Sequence, residues 1–186
     1  NDDFKKTITV SFGGGIAKAG DEFKSHTVHS LKTIMSVLYE MINNCEIEKV
    51  IVLLPFGLSQ DIIPYAHPKI TIHNKQEELV DLFASTELII TKGGRNTISE
   101  ILFYRKKGII IPTIQDHRRG EEQLSNSKYA ERYPNIRVIY SNTNKLDVLD
   151  LKQKIQELLT LTEFPTYRFI SGNEKIVHII TELISV

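Results

Sequence analysis

The chain has 186 residues, with 23 Lys and Arg against 23 Asp and Glu, so its formal net charge is zero. Its 41% hydrophobic and 25% charged content is that of a folded globular chain and excludes the disordered and low-complexity classes. Neutrality argues against a nucleic-acid binder that works by phosphate neutralisation, and the longest apolar run, residues 50–54, is far too short to span a bilayer. The single cysteine, Cys45, cannot close an internal disulfide and fits a reducing, cytoplasmic compartment. The start Asn1-Asp2-Asp3 carries no Met, basic stretch or signal core and reads as the middle of something longer.

Taken in chain order, short β-branched runs alternate with amphipathic stretches. The runs are residues 7–12 (TITVSF), 49–54 (KVIVLL), 70–73 (ITIH), 88–91 (LIIT), 108–111 (GIII) and 136–140 (IRVIY). Their near-continuous apolar character is that of strands buried on both faces of a parallel sheet. Between them, residues 28–43, 77–85, 96–104, 122–133 and 146–159 read as helices, and a last helix is expected over 174–185. In the first of these Val28, Leu31, Ile34, Met35, Leu38 and Ile42 form one apolar face. Strand then helix, six times over, predicts an α/β fold with a Rossmann-like, doubly wound, six-stranded parallel sheet in one domain spanning 1–186. In such sheets ligands bind beyond the carboxyl ends of the strands, where the strand order reverses. The loops after strands are therefore the places to seek chemistry.

Three of these loops stand out. Gly13, Gly14 and Gly15 directly follow the first strand, and the segment 16–25 after them reads as a long loop. The run is neither a dinucleotide fingerprint, since Lys18 stands where the third glycine belongs, nor a P-loop. The segment Thr91-Lys92-Gly93-Gly94-Arg95-Asn96-Thr97-Ile98-Ser99-Glu100 leads from the fourth strand into a helix. Free N–H groups at that helix start make an anion site, and phosphate is the usual anion. Asn96 or Thr97 is a candidate cap, and Thr97 with Glu100 three residues on has the spacing of a capping box. The same Glu100 is equally well placed to accept from ribose hydroxyls, so spacing leaves both readings open. In the third loop, residues 112–126, Glu122, Gln123 and Asn126 offer the mixture of acceptors and donors that sugar hydroxyls need. A solvated helix start explains the acidic residues equally well. His117, Arg118 and Arg119 read as exposed, and His26, His29, His67 and His178 as surface or packing residues.

The elements Lys92-Gly-Gly-Arg-Asn-Thr-Ile-Ser-Glu100, residues 109–112, and Glu121-Glu-Gln-Leu-Ser-Asn126 together resemble the C-terminal, donor-binding domain of the GT-B glycosyltransferases of family 28, the MurG-like family. The Gly-Gly-x-x-Thr-x-x-Glu and Glu/Gln-Gln-x-x-Asn motifs carry the resemblance, which covers residues 7–140; the glycine turn adds a generic match. It implies a donor site for a nucleoside diphosphate sugar, a UDP-sugar by analogy, with hexosyltransferase activity and no obligatory metal or other cofactor. Gly13, Gly14, Gly15, Gly93, Gly94, Arg95, Asn96 and Thr97 would hold the diphosphate, largely through backbone N–H groups. Glu100 would bind the ribose, Glu122 and Gln123 the sugar hydroxyls, and Asn126 would support the loop. The base would lie near residues 73–76.

Departures from the family are Gly15 in place of Ser or Thr, the cation Arg95 where a small or apolar residue is common, and the basic His117-Arg118-Arg119. No DxD pair or Cys/His cluster with metal spacing is present in the sequence. No catalytic base can be named, so the resemblance implies a partner: the N-terminal acceptor-binding half, on the same polypeptide or as a separate subunit. That half would also make any peripheral contact with the cytoplasmic membrane face, and no nucleic acid is expected as partner. A UDP-sugar hydrolase or epimerase-like enzyme of the same fold, and a non-catalytic nucleotide-sugar module, remain the other readings.

Overall fold

In a computed structural model the described residues are 6–12, 21–54, 63–73, 79–112, 120–140, 146–163 and 181, with backbone alone at 21–26, 63 and 79–81. They build one six-stranded sheet from β1 (Thr7–Ser11), β2 (Lys49–Leu53), β3 (Ile70–His73), β4 (Leu88–Thr91), β5 (Lys107–Ile110) and β6 (Ile136–Val138). All five pairings are parallel and the spatial order is β3-β2-β1-β4-β5-β6. The helices are α1 (Asp21–Asn43), α2 (Leu79–Ala84), α3 (Arg95–Phe103), α4 (Gly120–Ala130) and α5 (Val148–Thr160), with a short 3-10 turn at Ile63–Tyr65. Thr181 is helical, and the rest of the helix expected over 174–185 lies outside the described residues.

Two cores explain why strands with this composition sit in the middle. On one face Ile8, Val10, Val50, Val52, Leu88, Ile90 and Ile109 pack against α1 (Leu31, Ile34, Met35, Leu38) and α5 (Leu151, Ile155, Leu158). On the other, Ile89, Ile110 and Ile136 pack against Phe83 of α2 and Ile98, Ile101 and Leu102 of α3. Each such side chain contributes about 1.5–3 kcal/mol by leaving water. β1 alternates apolar residues with hydroxyls, yet every residue in it is buried. Thr9 Oγ1 meets Thr86 Oγ1 at 2.6 Å, so the central hydroxyl of that face is satisfied internally. At Gly108 a β-carbon would lie 3.2 Å from Ile101 Cγ2, which is how closely α3 lies on the sheet.

Several boundaries differ from the sequence reading. α1 begins at Asp21, seven residues before the apolar periodicity starts, because its first two turns carry DEFKSHT and no regular apolar face. The long loop expected over 16–25 therefore gives way to helix at Asp21. α1 and α3 both end in a residue with left-handed backbone at the position where glycine is usual. Cys45 (φ 58) ends α1, with the Glu46 amide donating to Met41 O and the Cys45 amide to Ile42 O. Arg105 (φ 53) ends α3, with the Lys106 amide donating to Ile101 O and the Arg105 amide to Leu102 O. α5 is capped by Asp147, whose side chain accepts from the Leu149 and Asp150 amides.

Candidate functional site

The strand order reverses between β1 and β4, where Ser11 is in register with Thr91. β1 runs on into Phe12 and then into 13–20, outside the described residues, so nothing structural is assigned to Gly13, Gly14 and Gly15. β4 runs on into Lys92, Gly93 and Gly94 and then directly into α3. The reversal, where such folds form their ligand crevice, thus has the Phe12 strand end on one side and the start of α3 on the other.

The α3 start is set by packing. Gly93 has φ +92, and a β-carbon on it would fall 2.9 Å from both Ile110 Cγ2 and Ser127 Oγ. Both the backbone conformation and the space demand glycine there. Asn126 Nδ2 donates to Gly93 O at 3.4 Å, and Ser127 Oγ donates to Gln123 O at 2.7 Å. The β4–α3 turn is thereby held against α4. Gly94 is the N-cap and no side chain caps the helix. The first intrahelical bond is Ile98 N–H to Gly94 O, which leaves the amides of Arg95, Asn96 and Thr97 ahead of the hydrogen-bonded ladder at the positive end of the helix. Gly94, Arg95 and Asn96 are exposed.

This geometry corrects the expected cap. Neither Asn96 nor Thr97 is the N-cap; Thr97 is the third residue of the helix, so Thr97 and Glu100 do not form a capping box. Glu100 is instead a half-buried carboxylate one turn further in. Its Oε2 is buried with no hydrogen-bond partner among the described residues, and burial pushes its carboxyl above the usual carboxylate range. A buried acceptor without a donor is costly, about 1–3 kcal/mol.

Arg95 and Glu122 face each other from the starts of α3 and α4, Nη2 to Oε1 3.7 Å, with their side chains 75% and 53% exposed. A pair this exposed is worth about 0–1 kcal/mol and leaves both groups reachable from solvent. Gln123 is buried. His117, Arg118 and Arg119 lie outside the described residues, as do 74–76, while His73 ends β3. His29 is exposed, whereas His67 is half-buried, accepts from the Lys69 amide and meets the Tyr39 ring edge-on, a packing role. Among the described residues no group of His, Cys, Asp and Glu is arranged to hold a metal ion.

One residue at this crevice was not singled out by sequence. Lys92 is 7% exposed, its Nζ donates to Thr27 Oγ1 on α1 at 3.0 Å, and it lies 5.5 Å from the Phe12 ring centroid. It places a buried lysine amine at the carboxyl edge of the two central strands, against α1. A lysine next to two glycines reads as a solvated loop residue. The signal against that reading is its place directly after a fully buried strand.

Residues 57–175 match the glycosyltransferase family 28 C-terminal domain. The chain belongs to that family. Among curated proteins, this family 28 domain is 33% identical over 111 residues to the UDP-N-acetylglucosamine–N-acetylmuramyl-(pentapeptide) pyrophosphoryl-undecaprenol N-acetylglucosamine transferase of Legionella pneumophila, strain Corby. The match covers 57% of this chain and 30% of that protein. The protein of the same name from Lachnospira eligens is 24% identical over 128 residues, 69% of this chain and 35% of the relative. The family 28 domain therefore spans about a third of the length of the curated relatives it matches. Among solved structures, MurG of Acinetobacter baumannii superposes with a TM-score of 0.68 at 16% identity, covering 95% of this chain and 49% of that one. The kitacinnamycin glycosyltransferase does so with a TM-score of 0.63 at 17% identity over 86% of this chain and 36% of that one. These likenesses show the fold, an all-parallel Rossmann-like sheet shared with glycosyltransferases. No described helix is long and apolar enough to cross a membrane.

Proposed function

We propose that this chain is the donor-binding half of a glycosyltransferase that moves a hexose or N-acetylhexosamine from a UDP-sugar to an acceptor hydroxyl. The observation that carries it is the uncapped start of α3 at the strand reversal, with a half-buried carboxylate one turn behind it whose Oε2 is buried without a hydrogen-bond partner among the described residues. A nucleoside diphosphate answers both needs at once. Its phosphates accept from the Arg95, Asn96 and Thr97 amides, and its ribose hydroxyls donate to Glu100. The names of the curated relatives, which transfer N-acetylglucosamine from a UDP-linked donor, support the choice of ligand.

In this reading the acceptor oxygen attacks the anomeric carbon and the bond from that carbon to the diphosphate oxygen breaks. The electron pair leaves with the diphosphate, and the acceptor proton passes to a base. The chain's part is to stabilise the charge that grows on the diphosphate. It does so with preorganised helix amides and with the buried Lys92 and exposed Arg95 cations nearby. No metal takes part in this scheme. Glu122 and Gln123, on the first turn of α4, take the sugar hydroxyls, while Asn126 keeps that turn in register with Gly93. The base and the acceptor site come from an N-terminal half, as in GT-B enzymes generally, working at the cytoplasmic face of a membrane.

Calorimetric titration with UDP, UDP-GlcNAc and UDP-glucose tests the proposal. Saturable binding of UDP and of one sugar conjugate is expected. No saturable binding of any of the three at about 1 mM, the upper end of the usual range for substrates, rejects it.

A further inference from the structure

At the opposite edge of the sheet, below the amino ends of β1, β4 and β5, lies a cavity of about 720 Å³. That volume is within the ordinary range for small-molecule sites, roughly 300–1,000 Å³. Its apolar wall comes from Met41 of α1 and Leu159 and Leu161 at the end of α5. Four cations, Lys6, Arg105, Lys106 and Lys107, and two carboxylates, Glu46 and Glu87, complete the lining, with the polar side chains Thr86, Gln156, Thr160 and Thr162.

Most of these polar groups are already engaged. Lys107 Nζ is paired with Glu87 Oε1 and reaches Leu159 O, and Glu87 Oε2 accepts from the Lys6 amide at 2.6 Å. Lys106 Nζ donates to Ala84 O at 2.7 Å. Glu46 is held by Lys152 and Gln156. Thr86 Oγ1 is shared between Leu82 O and Thr9, and Thr160 Oγ1 donates to Glu157 O. The side-chain charges of Lys6 and Arg105 enter no ion pair among the described residues. Both residues are exposed and both have left-handed backbone, φ 75 and φ 53. A site whose hydroxyls and amides are mostly engaged is poorly suited to a sugar or a base. What it still offers is apolar wall and the exposed positive charges of Lys6 and Arg105, with Lys106 held on a backbone carbonyl beside them.

We propose that this cavity binds a small amphiphilic anion, an apolar chain bearing one carboxylate, with the chain against Leu159 and Leu161, which cover the fully buried Met41, and the carboxylate between Lys6 and Arg105. The site stands apart from the donor crevice, which lies beyond the carboxyl ends of the same strands. Occupancy of the two is therefore expected to be independent in competition.

The test is fluorescence titration of the chain with a dansyl-labelled undecanoic acid, kept below its critical micelle concentration, beside the corresponding neutral amide. The acid is expected to saturate one site and to bind about tenfold tighter than the amide, as two partly screened charge contacts imply. Lys6→Asn with Arg105→Asn removes both charges while keeping a residue tolerant of left-handed backbone. That double variant should lose the tenfold preference, and excess UDP should leave the probe in place. Equal affinity for acid and amide, an unchanged preference in the double variant, displacement by UDP, or no saturable binding overturns the proposal. The amide comparison uses the unmodified chain, so it decides even if the double variant folds poorly.

Discussion

Replacing Glu100 by Gln should separate stability from binding. In the folded chain Oε2 is buried without a donor among the described residues, and burial pushes the carboxyl above its ordinary value of 4.5. A raised carboxyl pKa means that the folded state favours the protonated form. Stability linked to this group is thus fully present below 4.5 and falls as pH rises toward the raised value, beyond which the ionised carboxylate carries a constant penalty. An amide removes the charge but still leaves a neutral polar atom unpartnered, so the gain at neutral pH lies at the low end of the orphan penalty, about 1 kcal/mol. For a chain of this size that raises Tm by about 2–4 °C. Binding should move the other way. Hydrogen bonds to a charged acceptor are worth about 1.5–3 kcal/mol, so UDP affinity should fall roughly ten- to hundredfold. The informative pair is UDP against its 2′-deoxy analogue. The wild type should discriminate between them, and E100Q should lose most of that discrimination. In the wild type, UDP should also bind more tightly as pH rises through the Glu100 titration, because the carboxylate is the stronger acceptor. Thermal denaturation and calorimetry read both halves. An E100Q protein that is less stable and still binds UDP as tightly, with the 2′-hydroxyl preference intact, would refute the reasoning and make Glu100 a structural residue.

Three further outcomes follow from the same geometry. Gly93→Ala forces a β-carbon to 2.9 Å from Ile110 and Ser127 at φ +92; it should cost about 2–4 kcal/mol in denaturant unfolding, and a loss under 1 kcal/mol would show that the turn can yield. Cys45→Gly relieves left-handed strain at an exposed helix end (φ 58) and should stabilise by about 0.5–1 kcal/mol after the entropic cost of glycine; a lower Tm would contradict the strain argument. Lys92→Met keeps the packing on Phe12 but removes the buried charge. It should weaken UDP much more than uridine, whereas equal losses for the two ligands would mean that Lys92 acts through folding alone.

The strands were legible because runs such as VIVL (50–53) and LIIT are buried throughout, and burial on both faces leaves a mark that does not depend on partners. The helix faces of α1 and α5 were legible by periodicity for the same reason. The start of α1 was not, because polar residues there give no periodic signal. Spacing also misled at α3. Thr97 and Glu100 imitate a capping box, but Gly93 turns the chain early enough for Gly94 to become the cap, and that turn depends on Ile110 and Ser127 from other elements. Lys92 was missed because its burial rests on Thr27, 65 residues away, and on Phe12. The cavity at the amino ends of the strands was illegible in principle, being made where β1, α1, β4, α3 and α5 begin or end.

The backbone origin of the anion site proposed at the α3 start has a consequence for how such a domain can diversify. The amides that face the crevice are placed by Gly93, which tolerates no side chain. The side chains of Arg95 and Asn96 project into solvent and hold nothing in the core. Substitution at these two positions can retune the charge and reach of the crevice mouth without disturbing the amides behind it. Fixed geometry and variable chemistry thus occupy adjacent residues, so under the proposed function a change of donor preference needs only single substitutions at Arg95 or Asn96, which leave the fold's stability nearly untouched.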